Sequence, residues 1–210
     1  MLIRYLSVGR PATLPGTQTV SAIRKEPVEG QVYLSRLGLA CDEQADLEHH
    51  GGPDKAVCLY AIENYPIWEE LFGYPLPPSA FGENLTVEGM REESVLIGDI
   101  YRVGEALIQV CQPRVPCYKV NHKWGRTDVL PTMVENCRTG YYIRVLEEGP
   151  LQAGDRFALV DRNSKAPSVL AASQIFHHQR QNREAMEQLA ATPALAAVWV
   201  RALQNRIAAL

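Results

Sequence analysis

The sequence predicts a mainly β protein, an antiparallel barrel or sandwich with short helices, followed by a small appendage of three helices. Three observations carry this. Residues 1 to about 162 are dominated by short apolar or alternating runs separated by glycine and proline, the pattern of short strands joined by turns. Few stretches between those runs are long enough for a helix, which disfavours a doubly wound sheet. From Ser168 onward glycine disappears and the spacing becomes helical. The expected division is therefore 1–162 for the β domain and 163–210 for the appendage.

Strands are predicted over residues 20–23, 31–34, 56–60, 99–103, 106–111, 141–146 and 156–160. Gly98-Asp99 and Gly154-Asp155 stand at comparable places before strands, and Gly104-Glu105 separates two apolar runs closely enough to form a hairpin. Residues 62–72 and 128–137 read as helices, the second with Thr127 or Asp128 as its cap. After the polar linker 161–167, Ser168 caps a helix to about His177. A second helix spans 179–191, and Thr192 followed by Pro193 starts a third. In that helix Leu195, Trp199, Leu203 or Ala202, Ile207 and Leu210 fall near one face, an apolar stripe that needs a partner.

Composition narrows the function. The net charge is -3, from 21 basic and 24 acidic residues, so no global field draws the chain to a nucleic acid polymer or an anionic membrane. Any anion site has to be local. The five cysteines (41, 58, 111, 117 and 137) are an odd number with no Cys-x-x-Cys pair, which suits a reducing compartment and argues against a disulfide framework or zinc ribbon. No secretory signal or long apolar run is evident, and a soluble cytoplasmic protein is expected.

Three segments have the residue types for chemistry. In Gln112-Pro113-Arg114-Val115-Pro116-Cys117-Tyr118-Lys119 two prolines stiffen the backbone around one thiol, so Cys117 should project from a rigid loop. Arg114 and Lys119 would pull that thiol below its free pKa of about 8.5 and favour the metal-binding, nucleophilic anion. A buried structural cysteine is the competing reading. In His49-His50-Gly51-Gly52-Pro53-Asp54-Lys55 the glycine pair lets backbone N–H groups turn toward an anion and Lys55 adds charge. The spacing is not a Walker loop, and a ligand-free hairpin is the alternative. His49 and His50 are neighbours and lack the i, i+4 partner of a zinc-binding helix. In Phe81-Gly82-Glu83-Asn84-Leu85-Thr86 a glycine turn leads a carboxylate and an amide into a strand, where they can accept and donate hydrogen bonds. Tyr60, Trp68, Tyr118 and Trp124 are aromatic candidates for stacking on a base. The pairs Glu92-Glu93 and Glu147-Glu148 read as solvated charge.

Together with 37–46, containing Cys41-Asp42-Glu43-Gln44, these segments resemble the MOSC domain, named for the C-terminus of molybdenum cofactor sulfurase, and in particular its YiiM type. The resemblance covers most of residues 1–160, and YiiM-type proteins also carry a three-helix tail. It implies a β-barrel that binds the molybdenum cofactor (Mo-molybdopterin) and reduces N-hydroxylated compounds, including hydroxylaminopurines and amidoximes, to amines. Carried over, Cys117 matches the molybdenum ligand. Lys55, Arg114, Lys119, Gly51 and Gly52 match positions that hold the pterin and its phosphate, and Gly82, Glu83 and Asn84 stand in a motif lining the same pocket. His50 and Asp54, beside the cradle, are candidates for proton delivery. At one place the chain departs from the family: Cys41 stands where glycine is expected, a strained position if φ is positive there.

The chain shows no Rossmann glycines, haem-attachment motif or iron–sulfur array. Electrons would therefore come from a partner reductase of flavin, haem or iron–sulfur type. The stripe of the third helix offers a surface for that partner or for a second copy of the chain in a homodimer. A sulfur or cofactor carrier using Cys117 without turnover is the alternative function.

Overall fold

A computed structural model describes all 210 residues apart from the side chains of Glu48 and His49, so the reading of His49 as a ligand falls outside the described residues. The strands are β1 (Leu2–Val8), β2 (Ala12–Thr13), β3 (Val20–Ser21), β4 (Glu26–Pro27), β5 (Val32–Ser35), β6 (Gly38–Leu39), β7 (Val57–Ala61), β8 (Leu85–Glu88), β9 (Ile100–Val103), β10 (Ala106–Pro113), β11 (Tyr141–Glu147), β12 (Gly149–Leu151) and β13 (Ala158–Asp161). The α-helices are α1 (Leu47–His50), α2 (Tyr65–Phe72), α3 (Lys119–Trp124), α4 (Val129–Asn136), α5 (Val169–His178), α6 (Arg183–Ala190) and α7 (Ala197–Ala208). Among the described residues no helix is long and apolar enough to cross a membrane.

Eight strands form one curled sheet in the order β13-β9-β10-β11-β7-β8-β1-β4. Its hydrogen-bonded neighbours are antiparallel except for the parallel pair β7–β8, whose crossover carries α2. The curl brings β1 against the approach to β13: Ile3 N donates to Asp155 O at 3.0 Å and Gly154 N to Ile3 O at 2.9 Å. This is the expected β-barrel architecture, with one side of the sheet meeting its opposite end. The β9–β10 hairpin turns at Gly104-Glu105, with Val103 opposite Ala106. The Gly-Asp pairs share a local device, in which Asp99 accepts from Leu96 N and Asp155 from Gln152 N, each at 2.9 Å.

β7 is buried at all five positions. Leu59 faces the main core with Leu6, Leu85 and Ile143, while Tyr60 faces a second cluster with Trp68, Phe81 and Met133. Two covered faces explain why this strand reads as a continuous apolar run. Tyr60 and Trp68 are thus core residues, linked by a hydrogen bond from Trp68 Nε1 to the Tyr60 hydroxyl, and Trp124 donates its indole N–H to Ala80 O. Tyr60 and Trp68 are closed to a base, and Trp124 is half-buried against the second cluster. Glu92 also departs from expectation. It is fully buried, accepting from Asn64 Nδ2 at 2.8 Å and Gly140 N at 3.1 Å, and burial raises its pKa.

The helical boundaries shift where tertiary bonds override local signals. Residues 62–64 form a 3-10 turn before α2. Asp128 does not cap α4, because its carboxylate takes both N–H groups offered by Arg126. Ser168 caps α5 as expected, its Oγ accepting from Ala171 N at 3.1 Å. Asn182 caps α6 in the same way, so that helix starts later than its composition implies. Pro193 lies in a turn ahead of α7: Ala194 adopts φ 67 and Ala196 N bonds to Cys111 O of β10 at 2.9 Å. The α7 stripe finds its partner within the chain, since Trp199 and Leu203 join the main barrel core.

Candidate functional site

Five sequence-distant segments meet at one end of the barrel around a narrow cavity of about 90 Å³. They are the approach to β4 (Lys25), the stretch from Asp42 to Lys55, the turn before β8 (Gly82 and Asn84), the connection after β10 (Arg114 to Lys119), and the strands that supply Cys58 and Tyr142. Of the predicted site residues, His50, Lys55, Gly82, Asn84, Arg114, Cys117 and Lys119 are brought together here. A second, wider cavity of about 460 Å³ opens beside it and shares His50, Lys55, Cys117 and Lys119. Among the described residues Cys117 is the one cysteine lining both. It is half-buried in the loop that ends β10 and begins α3, as the two prolines predict.

The cationic wall is anchored from behind. Arg114 is 7% exposed, and its Nη1 donates to Phe81 O at 2.8 Å and lies 4.0 Å from Cys58 Sγ. Its backbone N–H bonds Gly140 O, fixing the start of the loop. Lys25 forms a buried ion pair with Asp42, whose carboxylate also accepts from Gly9 N at 2.8 Å and Asn84 Nδ2 at 2.9 Å. Asn84 in turn accepts from Cys58 N through Oδ1. Removing any member would leave a buried polar group without its partner, so the cluster behaves as one rigid unit. Gly82 is required by space: at φ 81 a Cβ would come 2.5 Å from Ile23 Cγ1.

Other expected residues lie elsewhere. Glu83 is fully buried and accepts from the Tyr65 hydroxyl at 2.6 Å, Phe81 N at 3.0 Å and the Thr86 hydroxyl at 3.1 Å, so it organises the turn from below. The Asp54 carboxylate accepts from Arg144 Nε at 2.8 Å, while its carbonyl takes Gln112 Nε2 at 2.7 Å. Asp54 lines neither cavity. Gly51 and Gly52 do not line them either; Gly52, at φ 99, starts the 3-10 turn Pro53–Lys55 that delivers Lys55 to the wall.

The electrostatics follow from burial among cations. His50 is lowered to about 4, first by desolvation and then by Lys119, so its imidazole is neutral near pH 7. Burial lowers Lys55 as well. The Cys58 thiol is pushed up to about 11 by burial, which leaves it protonated. Behind the cavity, Lys123 donates to Ser79 O and Ile23 O and is lowered to about 8, again by desolvation.

Cys41 adopts φ 65. The departure noted in the sequence thus falls on a left-handed position, yet Asp42 and Gln44 still reach the cavity. Lys25, Asp42, Cys58 and Tyr142 were missed as site residues. Asp42 sits inside a segment already singled out, whereas Lys25, Cys58 and Tyr142 have no local signature and enter the site only through the curl of the sheet.

Among the described residues no group of three or more His, Cys, Asp or Glu side chains could hold a metal ion by itself. A metal here would need a donor set of its own, with Cys117 as one soft ligand. The surrounding lysines and arginine suit an anionic carrier of that metal.

The profile of the MOSC domain matches residues 46–158, and that of the YiiM-like 3-alpha helix domain matches residues 167–209. The YflK protein of Bacillus subtilis (strain 168) is 44% identical over 196 residues, 92% of this chain and 89% of its own. Protein YiiM of Escherichia coli (strain K12) is 40% identical over 193 residues, covering 89% and 84%. A protein named Reductase from Gibberella moniliformis is 36% identical over 166 residues, 76% of this chain but 29% of its own length. The crystal structure of YiiM from Geobacillus stearothermophilus superposes with a TM-score of 0.85 at 37% identity, covering 98% of both chains.

Proposed function

The chain belongs to the MOSC family and carries the YiiM-like three-helix domain, and from that premise we propose that it is a molybdenum cofactor-dependent reductase of N-hydroxylated compounds. Its substrates would be hydroxylaminopurine-like bases and amidoximes. The observation that carries the reading is the place of Cys117, a half-buried thiol between a narrow cationic cavity and a wider groove. The first would present its thiol and cations to the metal and phosphate of an anionic pterin, and the second has the room for an organic group.

When bound, the cofactor supplies a two-electron centre able to reduce an N–O bond. The residues divide the remaining work. Cys117 would hold the metal. Lys55, Arg114 and Lys119 would bind the pterin phosphate, with the Lys25–Asp42 ion pair and Asn84 fixing their wall. The overall change is R–NHOH + 2 e⁻ + 2 H⁺ → R–NH₂ + H₂O: the N–O bond breaks, an N–H bond forms, and the oxygen leaves as water. His50 borders both cavities and is neutral near pH 7, so it can pass protons inward without storing charge beside the metal. Asp54, held by Arg144, is not part of that relay.

The electrons would come from a separate flavin, haem or iron–sulfur protein. The relative named Reductase supports a redox role, and 71% of its length lies outside the match (100% minus the 29% matched). The test is metal and pterin content in protein purified from a host that makes the cofactor, with Cys117→Ser alongside. Near-stoichiometric metal and pterin, lost in the variant, together with turnover of N-hydroxylated substrates under a chemical reductant, is the expected result. Absence of both after reconstitution would overturn the proposal, and cofactor bound without turnover would make the protein a carrier.

A further inference from the structure

The wider cavity is built by two different parts of the chain. One wall is the connection after β10, with Val115 and Tyr118; the facing wall is α7, with Val198, Trp199 and Ala202. Val115, Tyr118 and Val198 are exposed at 48%, 54% and 43%. Large apolar groups that face each other across a gap of this volume form a slot for an organic ligand.

The helical wall is held rigidly. Ala196 N, just before α7, bonds Cys111 O of β10, the strand that runs on toward Cys117. The Trp199 ring lies on Phe176 of α5 with centroids 4.3 Å apart, and the Arg206 guanidinium sits 3.8 Å from the Phe176 ring centroid. Arg206 Nη1 also donates to Phe176 O at 2.6 Å. A wall so fixed selects by shape, because a ligand cannot widen it cheaply.

Resting on the reductase reading, we propose that the α7 face of Val198, Trp199 and Ala202 determines substrate specificity, holding the flat ring of an aromatic N-hydroxylated compound against Tyr118 with its N–OH end toward Cys117. A planar ring loses water from both faces on entering the slot, whereas a small acyclic N-hydroxy compound reaches neither wall fully. The chemistry then belongs to the barrel and the choice of substrate to the helical domain.

The experiment compares holoenzyme with Val198→Asp and Ala202→Leu, the first charging the wall at an exposed position and the second narrowing the slot. 6-N-hydroxylaminopurine and N-hydroxyurea serve as ring-bearing and acyclic substrates, and binding of adenine, a redox-inert ring, is followed by calorimetry. Each variant should raise KM for the purine and weaken adenine binding about tenfold, with kcat held and N-hydroxyurea turnover unchanged within about twofold. An equal loss for both substrates, or no change in either KM or adenine binding, would overturn the proposal. If the holoenzyme reduced neither substrate while adenine binding still depended on Val198 and Ala202, the reductase reading would fall and the ring-binding wall would stand.

Discussion

Replacing Cys41 with glycine should stabilise the protein. Cys41 is exposed and adopts φ 65, a left-handed conformation that costs an L-residue with a Cβ about 1–2 kcal/mol. Because the side chain is exposed, its loss removes little apolar burial. Against the relief stands the greater backbone freedom of glycine in the unfolded chain, about 0.5–1 kcal/mol. The net expectation is a gain of about 0.5–1 kcal/mol, or a Tm rise of about 1–4 °C for a domain of this size. Urea unfolding should move to a higher midpoint with an unchanged slope, since the buried surface is the same. Cys41→Ala keeps the Cβ and should leave stability close to the parent, and Cys41→Val should lower it. If the glycine variant were no more stable than the alanine one, backbone strain at this position would be refuted. Cofactor retention should be equal in all three, because the contacts of Asp42 behind the cavity run through its carboxylate to Gly9, Lys25 and Asn84.

Further tests bear on the site. Asp42→Asn leaves Lys25 as a buried cation without its counter-charge and should cost about 3 kcal/mol in chemical denaturation, with a matching drop in pterin content. His50 titrates near 4 when folded against 6.5 unfolded, so between those values the unfolded chain takes up a proton that the native state does not. Stability present above pH 6.5 is therefore lost as pH falls toward 4. His177, also lowered to about 4 by burial, contributes in the same window, and His50→Gln should remove only part of the slope in denaturant midpoints. Lys123, lowered to about 8, acts at the other end: stability should rise as pH increases from about 8, and Lys123→Met should flatten that rise. Ser168→Ala removes the α5 cap and should cost about 1 kcal/mol by the same assay.

The readable parts of this sequence were those in which one short segment carries its own physical constraint. Two prolines around Cys117 fixed its presentation from a loop, and the hairpin at Gly104-Glu105 follows from the spacing of two apolar runs. Glycine-free composition after Ser168 marked the helices and Ser168 the start of the first, but the other two start later, α6 at its Asn182 cap and α7 where Ala196 finds a carbonyl on β10. Burial of charge was the least legible property. Glu92 is adjacent to Glu93 in sequence and looks like solvated charge until Asn64 and Gly140 are folded over it. Lys25 pairs with Asp42 across 17 positions, and no local pattern announces such a partner. Asp54 had the right neighbours in sequence, yet Arg144 on β11 draws its carboxylate aside.

The seam between β1 and residues 154–157 also governs when this protein becomes competent. Ile3 cannot meet Asp155 until nearly the whole β domain has been synthesised, and contacts of such long sequence separation form late and slowly. The segments around the cavity span Lys25 to Tyr142 and gain their shared geometry as the sheet curls. If the proposed cofactor binds here, the wall that would receive it is complete only once the sheet has curled. On that reading the wall is a product of the fold and not of its ligand, because the bonds that hold it, Lys25 to Asp42, Asn84 to Asp42 and Arg114 to Phe81, all lie within the protein.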